Sequence, residues 1–312
     1  MKRVMGSGLI WRTLWLGLAV SLLPSAAAAA TQTICAGATI PAGWVLKDMQ
    51  RNVTQCTNSL STYQWNVWTI ETYADKAEGT SMNVCVGFVP EGWLKTNITS
   101  SGAQCGRDFT VKNNVWTIYK TRAADTKLTV CAGFVPSGWF KTDFYDLDNR
   151  CAGDPFVQNQ DNVWTIERYD TAPPGTALHV CVGFQPYDWV KTDIYTSSSK
   201  CGRYSNIYSN VWVLQKIAAA DTRLVTCAGY VPENFIKTDF YPQSYKCGHD
   251  YNSSVYNVWV VERYDTRSVG STLRACAGFV PYGWTRTSIT TSTTQCGRGT
   301  ANSNIWTMRR DF

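Results

Sequence analysis

The sequence predicts an all-β protein made of six tandem, disulfide-stapled repeats of about 46 to 50 residues each. Three observations predict it. The twelve cysteines fall into pairs of nearly constant spacing, and two sets of aromatic residues recur at fixed distances from them. Short runs of β-branched and aromatic residues are bounded by Gly, Pro, Asn and Asp, which is the signature of strands and turns. Periods of this length are typical of repeat architectures.

The first thirty residues are predicted to be a secretory signal peptide. Lys2, Arg3 and Arg12 form a basic start, an apolar run follows, and Ala28-Ala29-Ala30 fits the cleavage pattern. The alternative, a membrane anchor, would need about 20 apolar residues. Removing residues 1–30 lowers the formal net charge from +6 to +3. This mild balance favours neither nucleic acid nor membrane insertion. We therefore expect a secreted protein, extracellular or, in a bacterium, periplasmic.

The cysteine spacing predicts one bond inside each repeat. Paired cysteines are 20 or 21 positions apart, whereas the interval to the next pair varies from 26 to 30. A crosslink inside a unit holds its spacing and a linker does not, so the expected framework is local. The predicted bonds are Cys35–Cys56, Cys85–Cys105, Cys131–Cys151, Cys181–Cys201, Cys227–Cys247 and Cys276–Cys296. His179 and His249 occupy unrelated positions and no short C-x-x-C pair exists, so neither a metal nor a cofactor is expected.

The landmarks also divide the chain into units. The predicted repeats are 31–80, an atypical capping unit, then 81–126, 127–176, 177–222, 223–271 and 272–312. The distance from each closing tryptophan to the next cysteine alternates between 17 and 15 positions, which favours grouping the repeats as three pairs. Each unit is complete in order along the chain. An open array is therefore favoured over a ring resembling a six-bladed propeller.

Each repeat is expected to be a three-stranded antiparallel meander. In the third repeat the predicted strands are Leu128–Val135, Trp139–Tyr145 and Asn162–Tyr169, with a turn at Pro136. The disulfide would join the end of the first strand to the loop after the second. Closing a loop of 20 positions should stabilise each unit by about 3 kcal/mol, which matters because so small a unit has a thin core.

Strand alternation predicts which side chains are buried. Successive residues of a strand point to opposite faces, so Phe140 and Phe144, one and five positions after Trp139, are expected to form the core face. Trp139 would then share the outer face with Lys141 and Asp143. The second tryptophan set, which closes each repeat within an Asn-Val/Ile-Trp run, is expected to be buried.

A tryptophan beside a cation and a carboxylate, repeated along an array, is a surface suited to sugars. The indole would stack on the C–H face of a pyranose, the polar groups would bind hydroxyls, and repetition would add avidity. The alternative is that this tryptophan packs on a neighbouring disulfide or repeat with its lysine lying over it. The predicted ligand-binding residues are Trp93, Lys95 and Asn97; Trp139, Lys141 and Asp143; Trp189, Lys191 and Asp193; Phe235, Lys237 and Asp239; and Trp284 and Arg286.

These patterns predict a secreted multivalent binding protein, carbohydrate-binding and lectin-like, with a glycan or cell-surface polymer as partner. No catalytic residue is proposed, because the histidines do not recur and the aspartates repeat instead of forming one unique acid pair. One alternative is a structural or self-assembling extracellular protein of a surface layer, filament or adhesin. Another is an inhibitor of a secreted enzyme, acting through the loops 151–162 and 247–257. In a eukaryotic host, Asn52, Asn97 and Asn252 head glycosylation sequons.

Overall fold

The chain folds as a series of small β-sheets. The computed structural model describes residues 30–59, 64–106, 113–145, 150–151, 162–202, 209–243, 245–248, 257–297 and 304–312. These residues form eighteen strands and one short 3-10 turn, Thr57–Ser59, with no α-helix among them. The predicted signal peptide, except for Ala30, lies outside the described residues, as do the sequon at Asn252 and most of both proposed inhibitor loops.

Every repeat contributes three strands. The first three repeats contain β1 (Thr31–Cys35), β2 (Trp44–Gln50), β3 (Val67–Thr72), β4 (Ser81–Cys85), β5 (Trp93–Thr99), β6 (Val115–Lys120), β7 (Lys127–Cys131), β8 (Trp139–Tyr145) and β9 (Val163–Arg168). The last three contain β10 (Ala177–Cys181), β11 (Trp189–Tyr195), β12 (Val211–Lys216), β13 (Arg223–Cys227), β14 (Phe235–Tyr241), β15 (Val258–Arg263), β16 (Thr272–Cys276), β17 (Trp284–Thr290) and β18 (Ile305–Arg310). The all-β, six-repeat prediction is confirmed.

The strand order inside each repeat corrects the predicted meander. In all six sheets the third strand is central, as in β7-β9-β8, and both outer strands run antiparallel to it. The first and second strands are therefore not a hairpin. Cys131 pairs with Val163 at one end of the sheet and Trp139 with Arg168 at the other. Residues 132–138 must cross back along the sheet, which an extended chain at about 3.3–3.6 Å per residue can do.

The first strand ends earlier than predicted. The first strand of the third repeat ends at Cys131, four residues before the predicted Val135. Gly133 has a φ of +151°, a backbone conformation that glycine adopts without steric cost, and it leads the chain out of the sheet. The second strand has the predicted bounds, and the third differs by one residue at each end.

All six disulfides join cysteines of the same repeat, as the spacing predicts. Each first cysteine is the last residue of a first strand. Each second cysteine has a left-handed backbone, with φ between +54° and +59°. No free cysteine is found among the described residues. Such a framework is consistent with an extracellular or otherwise oxidising compartment.

The repeats stack in chain order as an open array. The second strand of each of the first five repeats packs beside the first strand of the next, for example β8 beside β10 and β11 beside β13. At the two ends these edges are uncovered. Strand β1 is largely exposed, and six of the seven residues of β17 are exposed. The favoured open arrangement is therefore the one observed.

A β-bulge in every second strand changes the predicted faces. In the fourth repeat Lys191 pairs with Leu214, whereas Asp193 pairs with the adjacent Val213, so Thr192 is the extra residue. The same shift occurs in the other five repeats. Residues after a bulge point to the opposite side from the one that simple alternation assigns. Ile194 therefore shares a face with Lys191, and not with Val190 as alternation predicts.

Each core takes one side chain from the preceding repeat. Phe140 of the third repeat packs with Val180, Trp189 and Leu214 of the fourth. Burying such a side chain is worth about 1.5–3 kcal/mol, so the junctions contribute strongly to stability. The equivalent residues at the other junctions are Val45, Leu94, Val190 and Ile236.

Candidate functional site

The predicted stacking tryptophans lie inside the cores. Their exposed fractions are at most 7 %, with Trp189 at 0 %. The expectation that they lie on an outer face is wrong. Trp189 and Lys191 face the same side of the sheet as Leu214, which packs with Trp189 and is 0 % exposed, and the bulge turns Asp193 to the other side. Their faces are closed to a sugar ring. The buried side chains are Trp93, Trp139, Trp189, Phe235 and Trp284.

The predicted cations lie over the closing tryptophans. Lys191 Nζ is 4.0 Å from the ring centroid of Trp212, and Arg286 lies 4.7 Å from that of Trp306. Cation–π contacts of this kind contribute about 0.5–2 kcal/mol. Lys95, Lys141 and Lys237 make the same contact at 4.6 Å. In the first repeat Leu46 takes the place of the cation and packs near the next disulfide.

The closing tryptophans are consequently less buried than predicted. Trp116 is 5 % exposed, but the other five are half-buried, each with one side on a sheet. The first tryptophan set is thus the more buried of the two, the reverse of what the sequence predicts, while the closing set still packs against the cores. The half-buried set comprises Trp68, Trp164, Trp212, Trp259 and Trp306.

The predicted aspartates hold neighbouring repeats together. Asp143 Oδ1 accepts the backbone N–H of Cys201 in the next repeat at 2.9 Å. Asp193 accepts that of Cys247 at 2.9 Å. The adjacent glycine adds a second bond, since Gly248 N–H donates to the carbonyl of Ile194 at 3.0 Å. Asp48 and Asp239 bind Cys105 and Cys296 in the same way.

An asparagine that the sequence reasoning treated only as a landmark supports this junction. Asn210 of the fourth Asn-Val-Trp run accepts the N–H of Ser197 at 2.8 Å and donates to the carbonyls of Ser197, Lys200 and Cys201. It thereby holds the disulfide loop in the shape that presents the Cys201 N–H. Its recurrence two positions before every closing tryptophan was the available signal.

A different set of aromatic side chains is exposed at one equivalent position of the repeats. They stand three positions after each first cysteine, in the crossover segment, and most are more than half exposed. Phe134 is 71 % exposed and Phe184 63 %, and the equivalent of the first repeat is Ala38. The set comprises Phe88, Phe134, Phe184, Tyr230 and Phe279. We call these residues the crossover aromatics.

Crossover aromatics line grooves at the junctions between repeats. Four such grooves have volumes of 420 to 470 Å³. One wall is the first-cysteine segment of the later repeat, and the other is the Pro-containing turn and second strand of the earlier one. At the junction of the third and fourth repeats the lining includes Pro136, Lys141, Tyr169, Cys181 and Phe184.

The junction between repeats four and five differs from the others in having a hydrogen bond from its crossover aromatic. The hydroxyl of Tyr230 donates to the carbonyl of Tyr187 at 2.9 Å and bridges the two repeats. Burial, followed by the nearby Glu233 and Asp188, raises the pKa of Tyr230 above its usual value. A raised pKa keeps this phenol protonated, and therefore a donor, at physiological pH. This crossover aromatic is the least exposed of the five, at 36 %.

The grooves combine hydrogen-bond donors with apolar walls. Burial lowers the pKa of Lys237 in the groove between repeats five and six. Burial, Asp265 and Glu233 raise the pKa of Tyr264 in the same groove. The phenol thus remains a neutral donor beside an ammonium group. Of the predicted ligand residues, Lys95, Lys141 and Lys237 line these grooves, as do the buried Trp93, Trp139 and Phe235.

Neither a metal cluster nor a membrane-spanning helix is found in the described residues. In the described part of the chain no cluster of three His, Cys, Asp or Glu side chains is arranged to hold a metal ion. No helix there is long and apolar enough to cross a membrane. No protein-family model matches the chain, and the searches of curated proteins and of solved structures likewise give no significant match.

Proposed function

We propose that the protein is a secreted multivalent carbohydrate-binding protein whose sites are the junction grooves. The observation that carries the proposal is the recurrence of an exposed aromatic ring at one equivalent position in five consecutive repeats. Large exposed apolar groups that recur at a fixed position indicate binding more than they indicate packing. The disulfide directly before each crossover segment makes the ring's position rigid, which lowers the entropic cost of binding.

Sugar rings suit such a surface. The C–H face of a pyranose can lie on a phenyl ring, while lysine ammonium and backbone groups along the groove bind its hydroxyls. Each groove alone would bind weakly. A polymer that contacts several grooves gains avidity from effective concentration, without any further kind of contact. A glycan polymer at a cell surface or in an extracellular matrix is the expected partner. Secretion through the predicted signal peptide would deliver the protein there.

A glycan array probed with the oxidised protein tests the proposal. We expect binding to oligosaccharides that falls at least tenfold in a variant carrying F88A, F134A, F184A and F279A. Because these side chains lie mostly in solvent, the variant should keep its far-ultraviolet circular dichroism and its melting temperature within a few degrees. A folded variant with undiminished glycan binding would refute this site, and a wild-type protein that binds no glycan would refute the function.

A matched control is available on the same surface. Tyr282 is 91 % exposed and stacks edge-on with Phe312, with centroids 5.4 Å apart, but it lies outside the four grooves. We expect Y282A to leave glycan binding unchanged. If Y282A lost as much glycan binding as the crossover variant, the binding would be nonspecific adsorption to exposed aromatic side chains and not recognition in the grooves.

A further inference from the structure

The grooves are of two kinds, and the kinds alternate along the chain. Five positions after each closing tryptophan, the odd repeats carry a tyrosine, whereas repeats two and four carry Thr121 and Ile217. Backbone bonds confirm the equivalence: Tyr73 N–H donates to Gly43, Thr121 N–H to Gly92 and Ile217 N–H to Asp188. The tyrosines are Tyr73, Tyr169 and Tyr264, and each lines the groove that follows its repeat.

In each of these three grooves a tyrosine and a crossover aromatic line the same junction, and in two of them the rings meet at an angle and form a corner. The ring centroids of Tyr169 and Phe184 are 6.4 Å apart and the rings are inclined at 51°. Those of Tyr73 and Phe88 are 6.4 Å apart at 52°. In the third, Tyr264 and Phe279 line one groove. We call these three pairs the Tyr–Phe corners.

The groove between repeats two and three has no such corner. It has a similar volume, 460 Å³, but no tyrosine lines it, and its Phe134 is more exposed than Phe88, Phe184 or Phe279. The two-repeat period of the sequence thus has a structural counterpart in the grooves. It distinguishes three of the four grooves from the one between repeats two and three.

A Tyr–Phe corner suits a small apolar substituent. Carbon atoms in contact lie about 3.5–4.0 Å apart, so a pyranose ring cannot enter between rings whose centroids are 6.4 Å apart. A methyl group at the open side can touch both ring faces. A hydrogen-bond donor close to that methyl would complete recognition of an acetamido group. The donors differ between the grooves. The later two are lined by Lys141 and Lys237, whose ammonium groups also lie over the closing tryptophans, and by the Tyr264 hydroxyl, whose pKa is raised by burial and nearby carboxylates. In the first groove Leu46 replaces the lysine, and Tyr73 supplies the hydroxyl.

Given the proposed function, we propose that the three Tyr–Phe corners select sugars bearing an N-acetyl group, so that the chain has three acetamido sites. The methyl group contacts both aromatic rings, and the acetyl carbonyl accepts a hydrogen bond from the groove. Grooves without the tyrosine bind a sugar ring only by stacking and do not distinguish an acetamido group from a hydroxyl.

The test compares diacetylchitobiose with cellobiose, two β-1,4-linked disaccharides that differ at the 2-position. NMR titration of the isotope-labelled, oxidised protein reports both affinity and location. We expect diacetylchitobiose to bind at least tenfold more tightly and to perturb amide signals in the three corner grooves, with smaller changes beside Phe134. Equal affinity for the two disaccharides, or equal perturbation of all grooves, would overturn the corner proposal and leave carbohydrate binding intact.

The scaffold supplies its own matched variants. The changes Y73I, Y169I and Y264I introduce the residue that the fourth repeat carries at this position, so the fold should tolerate them. We expect the triple variant to lose the acetamido preference, and T121Y to add a fourth selective groove opposite Phe134. An unchanged preference in the triple variant would refute the role of the tyrosines. If neither disaccharide binds, the corner proposal fails, and the glycan array decides whether the proposed function fails with it.

Discussion

At the scale of single residues, the aspartate after the bulge is the element that joins one repeat to the next. Asp193 accepts the N–H of Cys247, a residue only 8 % exposed, and also that of its own neighbour Ile194. An alanine would leave a buried N–H without its acceptor, which costs about 1–3 kcal/mol. We therefore expect D193A to lower the protection of the Cys247 amide against hydrogen exchange by one to two orders of magnitude, and D193N to lower it less.

Ser288 provides the control for that change. It stands at the equivalent position in the sixth repeat, on an exposed strand beside which no described repeat packs. The change S288A should leave hydrogen exchange in the fifth and sixth repeats unaltered. If S288A and D193A had the same effect, the aspartate would be acting through its own strand and not across the junction.

The sequence was sufficient to predict the disulfide pairs and the bounds of the second strand, but not the faces to which its side chains point. Pairing of cysteines followed from spacing alone, and the prediction that the second strand runs from Trp139 to Tyr145 is confirmed. The faces were wrong for two reasons. The tryptophan side of the second strand is the core side, where Trp139 packs with Ile166, and a one-residue bulge at the Lys-Thr-Asp run, which leaves no compositional mark, turns the aspartate to the other side. Phe134 was overlooked as a site because the predicted first strand continued through it, whereas the strand ends at Cys131.

At the scale of elements, each disulfide does two things. It closes its own repeat, and the disulfide of a following repeat also forms part of the junction, as Cys181–Cys201 does by packing with Phe144 of the third repeat. The strand order could not be predicted, because adjacent strands usually pair. Here the third strand is central, and the asparagine at its start holds the disulfide loop.

These two contributions can be separated. The change of Cys181 and Cys201 to alanine should cost about 3 kcal/mol through loss of loop closure and should also speed hydrogen exchange in β8 of the preceding repeat. The matched change replaces Cys35 and Cys56, whose disulfide closes a loop of similar length, 21 positions. Strand β2 contacts the Cys85–Cys105 disulfide of the second repeat and not the Cys35–Cys56 disulfide of its own. We therefore expect faster hydrogen exchange in the first repeat only. Faster exchange confined to repeat four in the first variant would contradict a junction role.

At the scale of the whole molecule, one junction is repeated five times and two kinds of turn alternate. Odd-to-even turns contain a glycine whose N–H donates to the end of the next third strand, as Gly175 does to Lys216. Even-to-odd turns instead contain an aspartate that accepts a nearby N–H, as Asp221 does from Ala218. The alternation seen in the sequence therefore lies in the turns and grooves, while strand topology is the same in every repeat.

The pair of repeats should consequently be the unit by which the array can be lengthened. Inserting a second copy of residues 127–222 directly after residue 222 keeps both turn kinds in order and provides Asp193 with a cysteine-loop partner in the copied third repeat. Because stability in such arrays is set by neighbours, the eight-repeat chain should fold with an unchanged melting temperature or a higher one. Small-angle scattering should show a maximum dimension about one third longer, and diacetylchitobiose should perturb a fourth Tyr–Phe corner. A chain that folds without lengthening would mean that the array curves back on itself.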